Sequence, residues 1–141
     1  QKGLHFIDGL QIEHILPQTP RDGVFPPRLG QSQGEYESNV YRLGNVTLLE
    51  STINQAVAKH NDLSGTWFAD KQGEYARSSL LSTQLLNHNF SIGVNTAVNK
   101  VKSGYGFQFA EWDAQAIQQR QAVLLELAMD TWTLNGRRLD A

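Results

Sequence analysis

The sequence predicts an α+β fold, with a small strand-and-helix unit in its N-terminal part and helices covering that unit. Two short stretches, residues 9–16 and 46–49, have the apolar content and loose alternation of strands. Beyond Asn61 the apolar residues recur at helical spacing, and serines or an aspartate stand where helix caps belong. With 141 residues, the whole of 1–141 is read as one domain able to bury a core.

Each element has its own local signal. Residues 9–16 read as a short strand. Pro17, Pro20, Pro26 and Pro27, with Gly23, Gly30 and Gly34, then punctuate an irregular connection. A connection of roughly 20 residues is longer than most in compact domains and is often functional. After the strand at 46–49, Ser51 or Thr52 can cap a helix running to about Lys59. Ser64 is the expected cap of a helix through Trp67, Phe68 and Tyr75. Ser78 or Ser79 would cap another, carrying Leu80, Leu81, Leu85 and Leu86. Residues 87–109 are rich in Asn, Gly and Ser and read as a loop or hairpin. Asp113 caps the clearest helix, with an apolar stripe of Ile117, Leu124, Leu127, Ala128 and Trp132 and a stop at Gly136.

Composition narrows the function. At 40% hydrophobic and 18% charged residues the chain resembles an ordinary soluble globular protein. No apolar run approaches the roughly 20 residues that span a bilayer. No signal peptide is visible, and the chain opens at Gln1, so a fragment of a longer, cytoplasmic protein is expected. Absence of cysteine excludes disulfides, thiol nucleophiles and cysteine-ligated zinc. A net charge of −2 argues against strong autonomous DNA binding, because phosphate neutralisation supplies most of such affinity. It leaves room for a catalytic module delivered to DNA by another domain.

The chemistry concentrates in Ile12-Glu13-His14-Ile15-Leu16-Pro17-Gln18, Leu43-Gly44-Asn45-Val46-Thr47-Leu48-Leu49 and Ile53-Asn54. A carboxylate and an amide oxygen suit a hard cation such as Mg²⁺. An imidazole titrates near neutrality and can take a proton from an attacking water. Together these are the equipment of a metal-dependent phosphodiesterase.

That order resembles an HNH nuclease, the ββα-metal or His-Me finger fold. Asn45 and Asn54 stand nine positions apart, close to the separation usual in such enzymes. More narrowly, the chain resembles the C-terminal nuclease domain of GmrSD-type restriction endonucleases, where Glu-His-Ile-Leu-Pro-Gln and Leu-Gly-Asn-x-Thr-Leu-Leu recur. A Tyr-x-x-Ser-x-x-Leu segment (Tyr75 to Leu81), Ile-x-x-Arg (Ile117 to Arg120) and a terminal Trp132 extend the likeness over roughly residues 8 to 134. The resemblance implies a ββα-metal core with a surrounding helical bundle. It implies His14 as general base, Glu13 and Asn54 as ligands of one Mg²⁺ or Mn²⁺, and Asn45 as the residue that ties loop to strand and orients His14. Its products would be 5′-phosphate and 3′-hydroxyl ends. The implied partners are DNA and an N-terminal NTPase-like sensing domain of the same chain, acting in restriction of foreign DNA or phosphorothioate-linked antiphage defence.

Two points qualify the pattern. Adjacent residues of a regular strand face opposite ways, so joint use of Glu13 and His14 needs the strand to end or bulge near His14. Many HNH enzymes also carry a lysine three positions after the final Asn, where this chain has Val57. Arg42, Lys59, His60, Lys100 and Lys102 are the candidate DNA contacts instead, the last two otherwise simply solvated. Trp67, Trp112 and Trp132 are expected in the core, His5 and His88 on the surface or in loops, and Arg120 paired with an acid or capping a helix. The alternative reading is a catalytically inert HNH-like module that binds DNA or protein. A third, an RNase or nonspecific nuclease, is weaker.

Overall fold

In the computed structural model, residues 7–19, 25, 29–30 and 32–138 are described. His5, Pro20, Gly23, Pro26 and Pro27 lie outside them. Strand β1 (Leu10–His14) pairs antiparallel with β2 (Val46–Glu50), Leu10 opposite Glu50 and His14 opposite Val46. Five residues face five, so no bulge interrupts the ladder, and the strand ends at His14. The pleat then sorts the side chains. Glu13, Thr47 and Leu49 turn inward and are buried, while Ile12 and Leu48 face solvent.

Helix α2 (Ser51–Val57) leaves β2 without a loop and buries Ile53 and Val57, packing on both strands. Neither Ser51 nor Thr52 caps it. Glu50 occupies the cap position and makes no side-chain cap bond to the helix. Its carboxylate instead accepts from Ser78 Oγ at 2.8 Å, from Ser79 N at 2.8 Å and from Ser79 Oγ. Neither serine stands at the cap of the next helix: Leu80 does, and Ser78 Oγ accepts from Leu80 N at 3.1 Å.

Helix α3 (Trp67–Tyr75) begins after Thr66, and Ser64 contributes its carbonyl while its hydroxyl donates to Asp62. Helix α4 (Leu81–Gln84) is a single turn, with Leu85 and Leu86 buried just beyond it. Two helices occupy segments that read as irregular. One is α1 (Gln33–Val40), entered through a Ser32–Glu35 capping box; the other is α5 (Ala97–Gly104), capped by Thr96. Both have local signals that the surrounding Gly, Pro and Asn residues obscure.

Asp113 does cap α6 (Ala114–Thr131), accepting from Ala116 N at 2.8 Å. Its buried face is Ala116, Ile117, Arg120 and Val123, which confines burial to the N-terminal half. The stripe expected to run on to Trp132 is wrong at its end: Trp132 is 67% exposed. Trp67 is half-buried and Trp112 is buried, so the core role holds best for Trp112. Gly136 does not stop the helix. With Asn135 it forms the turn of a small hairpin, β3 (Thr133–Leu134) against β4 (Arg137–Arg138), both turn residues having positive φ of 53° and 76°. Among the described residues no helix is long and apolar enough to cross a membrane.

Candidate active site

The turn before β2 is where distant parts of the sequence converge. Leu43–Asn45 forms one 3₁₀ turn, against which α6 packs directly. A Cβ on Gly44 would stand 1.9 Å from the carbonyl oxygen of Ile117, so only glycine permits this approach. Arg120, one helical turn on, is 2% exposed and donates from Nη1 to the carbonyls of Gly44 and Val46, both at 2.8 Å. Burial pushes the guanidinium down to about 10, which leaves it charged at neutral pH. Its partners are backbone carbonyls and not an acid. The Ile-x-x-Arg signature is therefore a clamp on Leu-Gly-Asn.

Asn45 is fully buried, with all of its amide in use. Oδ1 accepts from Leu16 N at 2.8 Å and from the Trp112 indole at 2.9 Å. Nδ2 donates to Leu16 O at 3.0 Å and Val40 O at 2.9 Å. The Asn45 carbonyl also accepts from Ile15 N at 2.9 Å. These bonds fix the chain immediately after His14.

His14 itself is half-buried, on the face opposite Glu13. Its ring meets Tyr41 edge-on, 5.8 Å between centroids at 82°. Burial is the largest influence on its pKa and lowers it below 6.5; Glu13 opposes this and Lys71 adds to it. The ring is thus predominantly neutral at pH 7 and can accept a proton.

Glu13 faces a different environment. Its Oε1 accepts from Lys71 Nζ at 2.8 Å and from Tyr75 Oη at 3.2 Å, in a pair 9% and 0% exposed at the side chains. Lys71 also donates to Ile15 O at 2.9 Å, bracing the same strand end as Asn45. Burial lowers the Lys71 pKa while Glu13 raises it. Lys71 escaped the sequence reading, which had no local signal for a lysine on the buried face of a helix. Asn54 lies on the Glu13 side of the sheet, donating from Nδ2 to Gln11 Oε1 at 2.9 Å. Glu13 and Asn54 therefore share a side of the sheet that His14 does not.

The candidate DNA contacts fare unequally. Lys102 is 8% exposed, and its ammonium donates to the carbonyls of Asn87 at 3.2 Å, His88, and Phe90 at 2.7 Å. It holds a loop together and is neither solvated nor free for phosphate. His60 stands 4.0 Å from the Asp70 carboxylate. Lys59 and Lys100 are exposed and Arg42 is half-exposed, in three separate segments of the chain. His88 is exposed, as expected, beside Gln72 Oε1 at 3.2 Å.

Tyr41 also lines a cavity of about 440 Å³. Gln18, Phe25, Gln33, Tyr36, Glu37 and Tyr41 line it. Tyr36 is anchored there by donating to Pro17 O at 2.7 Å.

The family model for the C-terminal domain of GmrSD restriction endonucleases matches residues 1–127 of the 141. No curated protein and no solved structure matches the chain. With a match over that much of its length, the chain belongs to the family of C-terminal domains of GmrSD restriction endonucleases.

Proposed function

We propose that this domain is a metal-dependent DNA endonuclease of the HNH type, with His14 as the general base. The observation that carries the reading is the position of His14. It is the last residue of β1, its ring is accessible and largely neutral, and the backbone beyond it is fixed by Asn45 and Lys71. A neutral imidazole held in place takes a proton from water as the oxygen attacks phosphorus. The bond to the 3′-oxygen then breaks, giving 5′-phosphate and 3′-hydroxyl ends. The β1–β2–α2 arrangement, with Asn54 on the helix, supports the ββα-metal assignment.

Glu13 and Asn54 would hold one Mg²⁺ or Mn²⁺. Among the described residues, the hydrogen bonds of the Glu13 carboxylate fall on Oε1, and the Asn54 amide spends its nitrogen and not its oxygen on Gln11. Mg²⁺ retains several waters and asks for only one or two protein oxygens, so the donor set fits. Such a cation supplies charge stabilisation at the scissile phosphate and departing oxygen. The same reading places the domain in a longer cytoplasmic protein, where an N-terminal NTPase-like region delivers it to foreign DNA.

Two observations favour the rival, an inert DNA- or protein-binding module: the Lys71 ammonium already neutralises Glu13, and Glu13 and Asn54 lie on the side of the unbulged sheet opposite His14. Nicking of supercoiled plasmid in Mg²⁺ against EDTA separates the two. His14→Ala should abolish nicking with the melting temperature unchanged, and wild-type nicking by this variant would refute the assignment. In the wild type, the rate should rise with pH and reach its plateau early, the inflection lying below 6.5 because the His14 pKa is lowered.

A further inference from the structure

His14 is not among the described residues lining the cavity, yet Tyr41, which lines it, meets the His14 ring edge-on. Tyr41 ends α1 and is 65% exposed, so its ring is open to a partner. The walls behind it are also aromatic, Phe25 and Tyr36 lying 5.4 Å apart by centroids. The rim is polar: Gln33 Nε2 donates to Glu37 Oε1 at 2.7 Å, and Gln18 faces the same space.

We propose that this cavity receives one unstacked nucleobase flanking the scissile phosphate, with Tyr41 as its stacking platform and Gln18, Gln33 and Glu37 meeting its edge. The proposal rests on His14 as the centre of phosphodiester cleavage. Its support is size, charge and position. About 440 Å³ falls within the roughly 300–1,000 Å³ of small-ligand sites. The described lining residues include the Glu37 carboxylate, which repels a phosphate and can meet the edge of a base. Carboxylate and amide oxygens accept from the exocyclic amino groups of adenine, cytosine or guanine, which thymine lacks. Aromatic faces bind any base by stacking, and amide or acidic groups then discriminate its edge. A phosphate beside His14 brings its own nucleotide within reach of the adjoining ring.

The test begins by mapping the cut positions of the wild-type protein on duplex DNA. His14→Ala protein is then bound to duplexes carrying 2-aminopurine on either side of the cut. Fluorescence should rise at one position, and the rise should vanish in His14→Ala/Tyr41→Ala. In cleavage assays Tyr41→Ala should lower kcat/KM roughly 5- to 150-fold, the range of single base–aromatic stacks, while Tyr41→Phe stays near wild type. A duplex abasic at that position should be cut equally by wild type and Tyr41→Ala. A mismatch there should speed the wild type, because less unstacking is required. Loss of rate by Tyr41→Ala on intact and abasic DNA alike would show that Tyr41 merely props His14, and would overturn the proposal. So would cleavage with no fluorescence rise and no effect of Tyr41→Ala. Undiminished cleavage by His14→Ala would instead overturn the reading of His14, and the pocket's role with it.

Discussion

Asn45 and Asn54 belong to one sequence pattern, nine residues apart, and meet opposite fates. Asn45 is fully buried, with four side-chain hydrogen bonds reaching Leu16, Val40 and Trp112. Asn54 is half-buried on α2, with one side-chain bond to Gln11. An amide with every lone pair and proton engaged has nothing left for a ligand. An amide with a free oxygen at an accessible helix face has. The first region is architecture that fixes the strand end after His14, and the second leaves an amide oxygen open. Identical side chains differ because α6 and Trp112 close over one and leave the other open.

The largest effect should come from the Asn45 side. Gly44→Ala drives a methyl into the Ile117 carbonyl at 1.9 Å, with backbone on both sides of the clash. The expected loss is about 4 kcal/mol or more, enough to prevent folding of a marginally stable domain. Circular dichroism and a thermal melt check it. A folded variant with wild-type stability would show that α6 can withdraw from the turn.

Asn45→Ala should come next. It strands the Leu16 N–H and the Trp112 indole N–H in the interior, each costing about 1–3 kcal/mol. Stability and cleavage should fall together. An unchanged melting temperature with lost cleavage would instead place Asn45 in direct contact with substrate or metal.

Glu50 begins the helix that bears Asn54 and tests how that side is held. Burial alone would push its carboxyl up, but hydrogen bonds from Ser79 and Ser78 overcome this and hold it at about 2 against an ordinary 4.5. The folded pKa is depressed, so its contribution to stability is complete above pH 4.5 and is lost as pH falls towards 2. Glu50→Gln should flatten that part of the stability profile in melts at stepped pH. An unaltered profile would mean that the serines do not favour the charged form.

The smallest structural effect belongs to Asn54→Ala, within about 0.5 kcal/mol, since a half-exposed amide leaves no buried partner stranded. Its functional effect should be large. Half-maximal cleavage should need about ten-fold more Mg²⁺ or beyond, with partial recovery in Mn²⁺, which accepts varied ligands more readily. Rate titrations against each metal measure this. Unchanged apparent metal affinity would remove Asn54 from the ligand set and collapse its contrast with Asn45.

The sequence alone determined what rests on neighbouring residues. Alternation set β1 and β2, Asp113 started α6 through its own side chain, and the spacing of Glu13, His14, Asn45 and Asn54 pointed to the family. The capping box at Ser32 and Glu35 was equally local, but proline and glycine around it argued for a loop. Tertiary structure alone decided which charges are spent. Lys71 reaches Glu13 across 58 positions, Arg120 reaches Gly44 across 76, and Lys102 turns inward to three carbonyls. A charged side chain shows no periodic signal of its own burial, because the carboxylates and carbonyls that make burial tolerable come from elsewhere in the chain. The same holds for Tyr41, whose place beside His14 exists only once α1 and β1 have come together.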